Sequence, residues 1–200
     1  LKMSKKFLKL LFEKKINKIV FAGTCYEYGL LEGKLSESTK TAPITQYGIA
    51  KDSLRRFIEL EAKKYKFNWC WLRIFYPYSK QNKKTLYSSL IEAIKNKDEN
   101  FSLGSGKQIR DFVPLEDISR QLLEITFNER AHGIYNGGSG IPQSIKEFAF
   151  SIVDREKSNI KLNFGIYKDR EYESNSYWAN MDKYRNLLIN FPSKRFYKWK

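Results

Sequence analysis

Thr24 closes the small-residue turn of the stretch IVFAGTCYEYG (residues 19–29), and Tyr47 and Lys51 lie four residues apart in TQYGIAK (residues 45–51). On a helix that spacing puts the phenol and the ammonium on one face. A free tyrosine has a pKa of about 10 and exchanges its proton poorly at neutral pH, whereas a fixed cation beside it favours the phenolate and lowers that value. Tyr47 could then shuttle a proton, and Thr24, held opposite it at a strand end, would hydrogen-bond the substrate oxygen whose proton moves. Alone, a Tyr and a Lys four apart are common on solvated helix faces. The ordered set is more specific: a strand ending in Thr24, the Tyr28-Gly29 pair, the Tyr-x-x-x-Lys helix, then a strand ending LRIF.

Each of these groups needs an element to hold it. Residues 1–15 place Phe7, Leu8, Leu11 and Phe12 at helical spacing, and NKIVFAG reads as a short buried strand. A polar loop with Gly29, Gly33 and Pro43 leads to Thr45, after which TQYGIAKDSLRRFIELEAKKYK reads as a helix with Ile49, Leu54, Phe57 and Ile58 inward. FNWCWLRIF is a strand suited to burial on both faces. The β–α–β order with a long crossover implies a parallel sheet covered by helices. Beyond Pro77 shorter elements follow: a helix near 84–97, a hairpin-like pair around LGSGKQ, strand IRDFVPL, helix 116–127, strand GIYNGG and helix 144–157. The basic closing FPSKRFYKWK reads as a loose end.

Composition narrows the partners. The 200 residues are 42% hydrophobic, enough to bury a sizeable core, and no apolar run approaches the roughly 20 residues a bilayer span needs. Cys25, Cys70 and the single His132 supply neither a disulfide framework nor a zinc ligand set, so metal is not expected and a reducing, cytoplasmic compartment is. The net charge of +15 is spread along the chain and reads mainly as a solvated surface. A rival reading takes the same charge with 16% aromatics as a basic module for nucleic acid or an anionic surface.

The ordered motifs resemble the extended short-chain dehydrogenase/reductases, the NAD-dependent epimerase/dehydratase group that works on nucleotide sugars. FAGTCYEYG looks like that family's active-site strand and YGIAK like its Tyr-x-x-x-Lys. LRIFYPYSK resembles the segment passing under the nicotinamide, and IRDFVPLEDIS the Arg-Asp-aromatic motif of the substrate lobe, followed by the similar GIYNGGSGIPQSIKEFA. The resemblance implies an α/β fold: the C-terminal part of a Rossmann-type parallel-sheet domain (1–76) plus a smaller α+β substrate lobe (77–200), some of whose segments return to the first domain. It implies NAD or NADP as cofactor and a nucleotide-diphosphate sugar as substrate. Thr24 would polarise the sugar oxygen, Tyr47 act as acid and base, and Lys51 lower its pKa and hold the nicotinamide ribose. Phe75 would line the nicotinamide pocket and Arg110 pair with the substrate diphosphate, its bland alternative being a surface strand residue. It also implies a homodimer built on the helices near 1–15 and 45–65, with no nucleic acid and no membrane insertion.

The departures shape the reading further. Tyr76 stands where the family usually has Asn and Ser79 where it has Gly. Cys25-Tyr26 replaces the Asp-Glu pair of the sugar 4,6-dehydratases, which disfavours dehydration and leaves ketone reduction or epimerisation; GTCYEYG looks most like 4-keto reductases. None of the eleven glycines forms the Gly-x-Gly-x-x-Gly or Gly-x-x-Gly-x-x-Gly turn that meets a pyrophosphate, and GGSG at 137–140 and GSGK at 104–107 read as turns. The resemblance therefore implies that the first half of the Rossmann domain is missing from this chain, which alone would bind dinucleotide poorly. An inactive truncated remnant is the third reading.

Overall fold

The computed structural model describes residues 2–14, 16–81, 85–169 and 173–189. Helix α1 (Lys2–Glu13) buries Leu8 and Phe12, and β1 (Lys18–Thr24) runs from it into a 3-10 turn, Cys25–Glu27. After β2 (Gly33–Leu35) comes α2 (Gln46–Tyr65), started by the Thr45 side chain accepting from Gly48 N and ended by Lys66 in the left-handed conformation. Strands β3 (Asn68–Ile74) and β4 (Tyr76–Tyr78), helix α3 (Leu86–Asn96) and strands β5 (Asn100–Ser102), β6 (Ile109–Arg110) and β7 (Phe112–Pro114) follow. The chain continues through α4 (Leu115–Phe127), β8 (Gly133–Gly137), β9 (Gln143–Ser144), α5 (Ile145–Arg155), β10 (Lys161–Asn163), β11 (Tyr177–Ala179) and α6 (Asp182–Leu188).

The main sheet has the order β1-β3-β8, all parallel, with Thr24 opposite Ile74 and Ile74 opposite Gly137. Parallel strands demand cover on both faces, and alternation along β3 supplies it. Trp69 and Trp71 join Leu8, Phe12 and Ile58 in a core with α1 and α2, while Cys70 and Leu72 enter a second core with Ile118, Ile125, Tyr135 and Leu187 from the other side. A third core lies between α3 and α5, around Leu90, Phe148 and Ile152. The register brings the ends of β1 and β3 to one level, where the sequence motifs end.

The parallel sheet and the helices read from periodicity are present, with three corrections. LGSGKQ is no hairpin: β5 pairs in parallel with β10 and β6 antiparallel with β9, so each flank of the turn joins a later segment. IRDFVPL is two short strands interrupted at Asp111, because β6 and β7 belong to different sheets. Ile49 is 47% exposed rather than inward, and the inward face of α2 near its start is formed by Gly48, Asp52 and Arg55. GIYNGG, as β8, sits in the main sheet beside β3. The basic closing segment lies outside the described residues.

Candidate active site

The carboxy-terminal ends of β1 and β3 open into a cavity of about 650 Å³ lined by Thr24, Tyr26, Tyr47, Lys51, Phe75 and Arg110 among others. Thr24 is buried at the strand end and caps the following turn: its hydroxyl accepts from Tyr26 N at 3.3 Å, and the Glu27 side chain returns to accept from Thr24 N at 3.0 Å. Tyr47 stands on the first turn of α2, 55% exposed at the cavity wall. Gly48 lets that turn come close, since a Cβ there would lie 2.6 Å from the Tyr26 carbonyl oxygen. Lys51, one turn on, donates to the carbonyl of Ala22 at 2.9 Å and lies 5.8 Å from the centre of the Tyr47 ring.

The balance at Tyr47 corrects one expectation. Burial pushes its phenol above the ordinary value, the neighbouring Cys25 and Glu27 push the same way, and a hydrogen bond with the Thr24 side chain opposes them. Lys51 spends its short contact on the Ala22 carbonyl, so it does not bring the phenol down. Tyr47 is therefore protonated at neutral pH, as a proton donor must be. Phe75, backed by Tyr28 and Tyr177, is buried at the cavity lining.

Arg110 is 1% exposed, which overturns the surface-residue alternative. Its guanidinium lies over the rings of Tyr76 and Tyr177, donates to Glu173 Oε2 at 3.1 Å and to the carbonyl of Ile109 at 2.9 Å, and leaves Nε without a partner. The other Glu173 oxygen accepts from the Tyr26 hydroxyl at 3.3 Å. Asp111, the next residue, is fully buried and takes the amides of Ser139 (2.7 Å) and Gly140 (2.9 Å) and that of Ala179 (3.1 Å). Two amides of the GGSG turn, those of Ser139 and Gly140, are thus consumed by a carboxylate of the same chain.

Comparison with known proteins follows the same line. Residues 1–138 match the NAD dependent epimerase/dehydratase family. This chain belongs to that family. It is 29% identical over 175 residues to dTDP-6-deoxy-L-talose 4-dehydrogenase (NAD(+)) of Aggregatibacter actinomycetemcomitans, covering 86% of this chain and 64% of that protein. It is 26% identical over 183 residues to an uncharacterized UDP-glucose epimerase of Bacillus subtilis (strain 168), covering 90% of this chain and 57% of that protein. In fold it resembles UDP-N-acetylglucosamine 4-epimerase from Methanobrevibacter ruminantium M1, in complex with UDP-N-acetylmuramic acid, with a TM-score of 0.84 and 20% identity over 94% of this chain and 61% of the other. UDP-glucuronic acid 4-epimerase from Bacillus cereus, in complex with UDP-glucuronic acid and NAD, superimposes with a TM-score of 0.83 and 23% identity over 92% of this chain and 59% of the other. The chain thus spans about three fifths of the length of these relatives.

Within the epimerase/dehydratase family pattern, the departures have physical contents. Burial pushes the Cys25 thiol and the Tyr26 phenol up to about 12 each, so neither is ionised at neutral pH. Tyr76 meets the Tyr177 hydroxyl at 2.7 Å and supports Arg110. Sequence reasoning missed Glu27 and Glu173, and met Asp111 only as part of the Arg-Asp-aromatic motif without a role. Glu27 carried a signal, an acidic residue three after a strand-end Thr in a capping pattern. Glu173 carried none, because it reaches Arg110 from 63 positions away.

Proposed function

We propose that this chain carries the catalytic part of an NAD(P)-dependent nucleotide-sugar enzyme, a reductase or epimerase that moves hydride at C4 of a hexose, working in the cytoplasm. The observation that carries the reading is the convergence of Thr24, Tyr47 and Lys51 on one end of a cavity. Thr24 would hydrogen-bond the sugar oxygen and Tyr47 would donate its proton to that oxygen during ketone reduction, or take it back in the reverse direction. The un-ionised Cys25 and Tyr26 leave no acid–base pair for eliminating water, which supports reduction or epimerisation over dehydration.

The residues present fit the nicotinamide end of the cofactor: Lys51 offers an ammonium, Tyr47 a hydroxyl, and Phe75 with the small Ala22 and Gly23 lines the cavity beside them. When bound, NAD(P) supplies the hydride acceptor or donor. None of the glycines of these 200 residues forms the Gly-x-Gly-x-x-Gly pattern that serves a pyrophosphate, so the fit argued here is to the nicotinamide end alone. Arg110 would meet the substrate diphosphate by exchanging its Glu173 partner for it.

The test is Tyr47→Phe in the full-length protein, assayed with NAD(P)H and a panel of dTDP- and UDP-4-keto hexoses. Turnover should fall by about 10²- to 10⁴-fold with nucleotide-sugar binding kept. Unchanged turnover sinks the assignment. A wild-type protein that binds nucleotide sugars but turns over none of them is the remnant reading instead.

A further inference from the structure

We infer that Glu27 is the positioning residue of this site, its buried carboxylate holding Thr24 and the Tyr47/Lys51 helix in one frame. The inference rests on the proposed reading of those three groups as the reacting ones. Glu27 is fully buried in the turn after β1, and its two oxygens are shared among three elements. Oε1 accepts from Thr24 N at 3.0 Å and from the Trp71 indole at 2.8 Å; Oε2 accepts from Arg73 Nε at 3.0 Å and lies 3.8 Å from Arg55 Nε.

Arg55 gives the arrangement its reach. Tyr47, Lys51, Arg55 and Glu59 follow one another at four-residue spacing along one face of α2. Arg55 is clamped there by Asp52 at 2.8 Å and Glu59 at 3.0 Å. One carboxylate therefore fixes the strand-end amide that sets the Thr24 hydroxyl and also the helix face that carries Tyr47 and Lys51. Gly23 clears the way, since a Cβ at that position would lie 2.0 Å from Trp71 Nε1 and 2.8 Å from Glu27 Oε1. An apolar residue at 27 would satisfy a buried turn equally well by volume but would leave Arg73 Nε and the Trp71 indole without their acceptor and remove the charge 3.8 Å from Arg55 Nε.

Glu27 also faces Tyr47 electrically. The titratable groups facing the phenol are Cys25, Tyr26 and Glu27 from the turn and Lys51 from its own helix; Thr24 adds a hydroxyl. The charged groups facing Glu27 are Arg73 on β3 and Arg55 on α2, the latter held by Asp52 and Glu59. Removing the Glu27 charge leaves an excess of positive charge beside the phenol, which favours the phenolate.

The experiment is Glu27→Gln in the full-length protein, with two readouts. The first is kcat and KM for the nucleotide sugar, where kcat should fall by about 100-fold with KM within about 3-fold. The second needs no substrate: the ultraviolet difference titration between each protein and its Tyr47→Phe counterpart, in which the Tyr47 midpoint should move to lower pH in the Gln variant. A folded Gln variant with wild-type kcat, or one whose lost kcat comes with an unmoved phenol midpoint, overturns the inference. If the wild type turns over no nucleotide sugar, the functional reading fails by itself and the titration alone decides for or against Glu27. Should Glu27→Gln not fold, Arg55→Lys keeps the charge but loses the Nε that lies 3.8 Å from Glu27 Oε2, together with the fork on Asp52. It should lower kcat by about 10-fold, and an unchanged kcat overturns the inference.

Discussion

Arg110 is a permanent cation with almost no access to water, so its position is tolerable only because Glu173 neutralises it and two tyrosine rings flank it. The same pairing competes with any diphosphate for the guanidinium. We therefore expect Glu173→Gln to tighten binding of UDP or dTDP by about 10- to 100-fold, the scale of one charge-assisted hydrogen bond regained. Calorimetry on the two proteins checks this, and weaker binding in the variant would mean that Glu173 itself contacts the nucleotide. Tyr47 carries a second expectation. With its phenol raised by burial, rate in the alcohol-oxidising direction should climb with pH through a limb above the ordinary tyrosine value of about 10, and Thr24→Val should move that limb higher still. A pH profile of kcat reads both. At this scale Thr24, Tyr47 and Lys51 are legible in the sequence, because a hydroxyl ending an apolar run and a four-residue spacing are local patterns. The direction of the Tyr47 shift is not, since it depends on how far the fold buries the phenol, on where Lys51 finds a carbonyl and on the Glu27 carboxylate that the turn brings near.

Helix α2 shows why an element can be found from periodicity while its role is misread. Leu54, Phe57 and Ile58 pack toward α1 and the sheet as their spacing implies. Its start, however, presents Asp52 and Arg55 inward, where an apolar residue such as Ile49 is the sequence-level expectation. Asp52 accepts from Arg55 at 2.8 Å and from Arg56 at 2.7 Å. Burial alone would raise its carboxyl, but the hydrogen bonds from Arg56 and Arg55 outweigh this and hold it below the ordinary carboxylate value. A folded-state value below the unfolded one stabilises fully above about pH 4, and that contribution is lost as pH falls through the folded value. Asp52→Asn should thus cost about 3 kcal/mol at pH 7. Urea titrations at pH 7 and near pH 2 test it: the two proteins should converge in acid, and a gap that persists there would place the loss in packing. The hairpin expected at LGSGKQ fails for a related reason. Turn residues announce a change of direction, whereas the partner of each flank is chosen by strands that arrive some 30 to 60 residues later.

The whole molecule leaves apolar surface where the family resemblance implies a dimer. Met3, Phe7 and Leu10 form an exposed stripe on α1, with Phe7 60% exposed, and Leu60 on α2 is 65% exposed. The spacing of three and four along α1 is that of a helix seam, and α1 and α2 already pack on each other through Leu8, Phe12 and Ile58. A second copy presenting the same pair would complete a four-helix arrangement, burying these side chains at about 1.5–3 kcal/mol each. We therefore propose a homodimer on this face, and expect Phe7→Glu together with Leu60→Glu to give a monomer of unchanged helix content. The distinction from nonspecific stickiness lies in stoichiometry. The parallel sheet also ends at β1, which pairs only with β3 among the described strands, and an open strand edge promotes open-ended association. Light scattering across a concentration series separates the two: a plateau at twice the monomer mass that the double substitution abolishes supports the helix face. Mass that grows without limit, and is untouched by the two glutamates, assigns the association to the strand edge and removes the dimer.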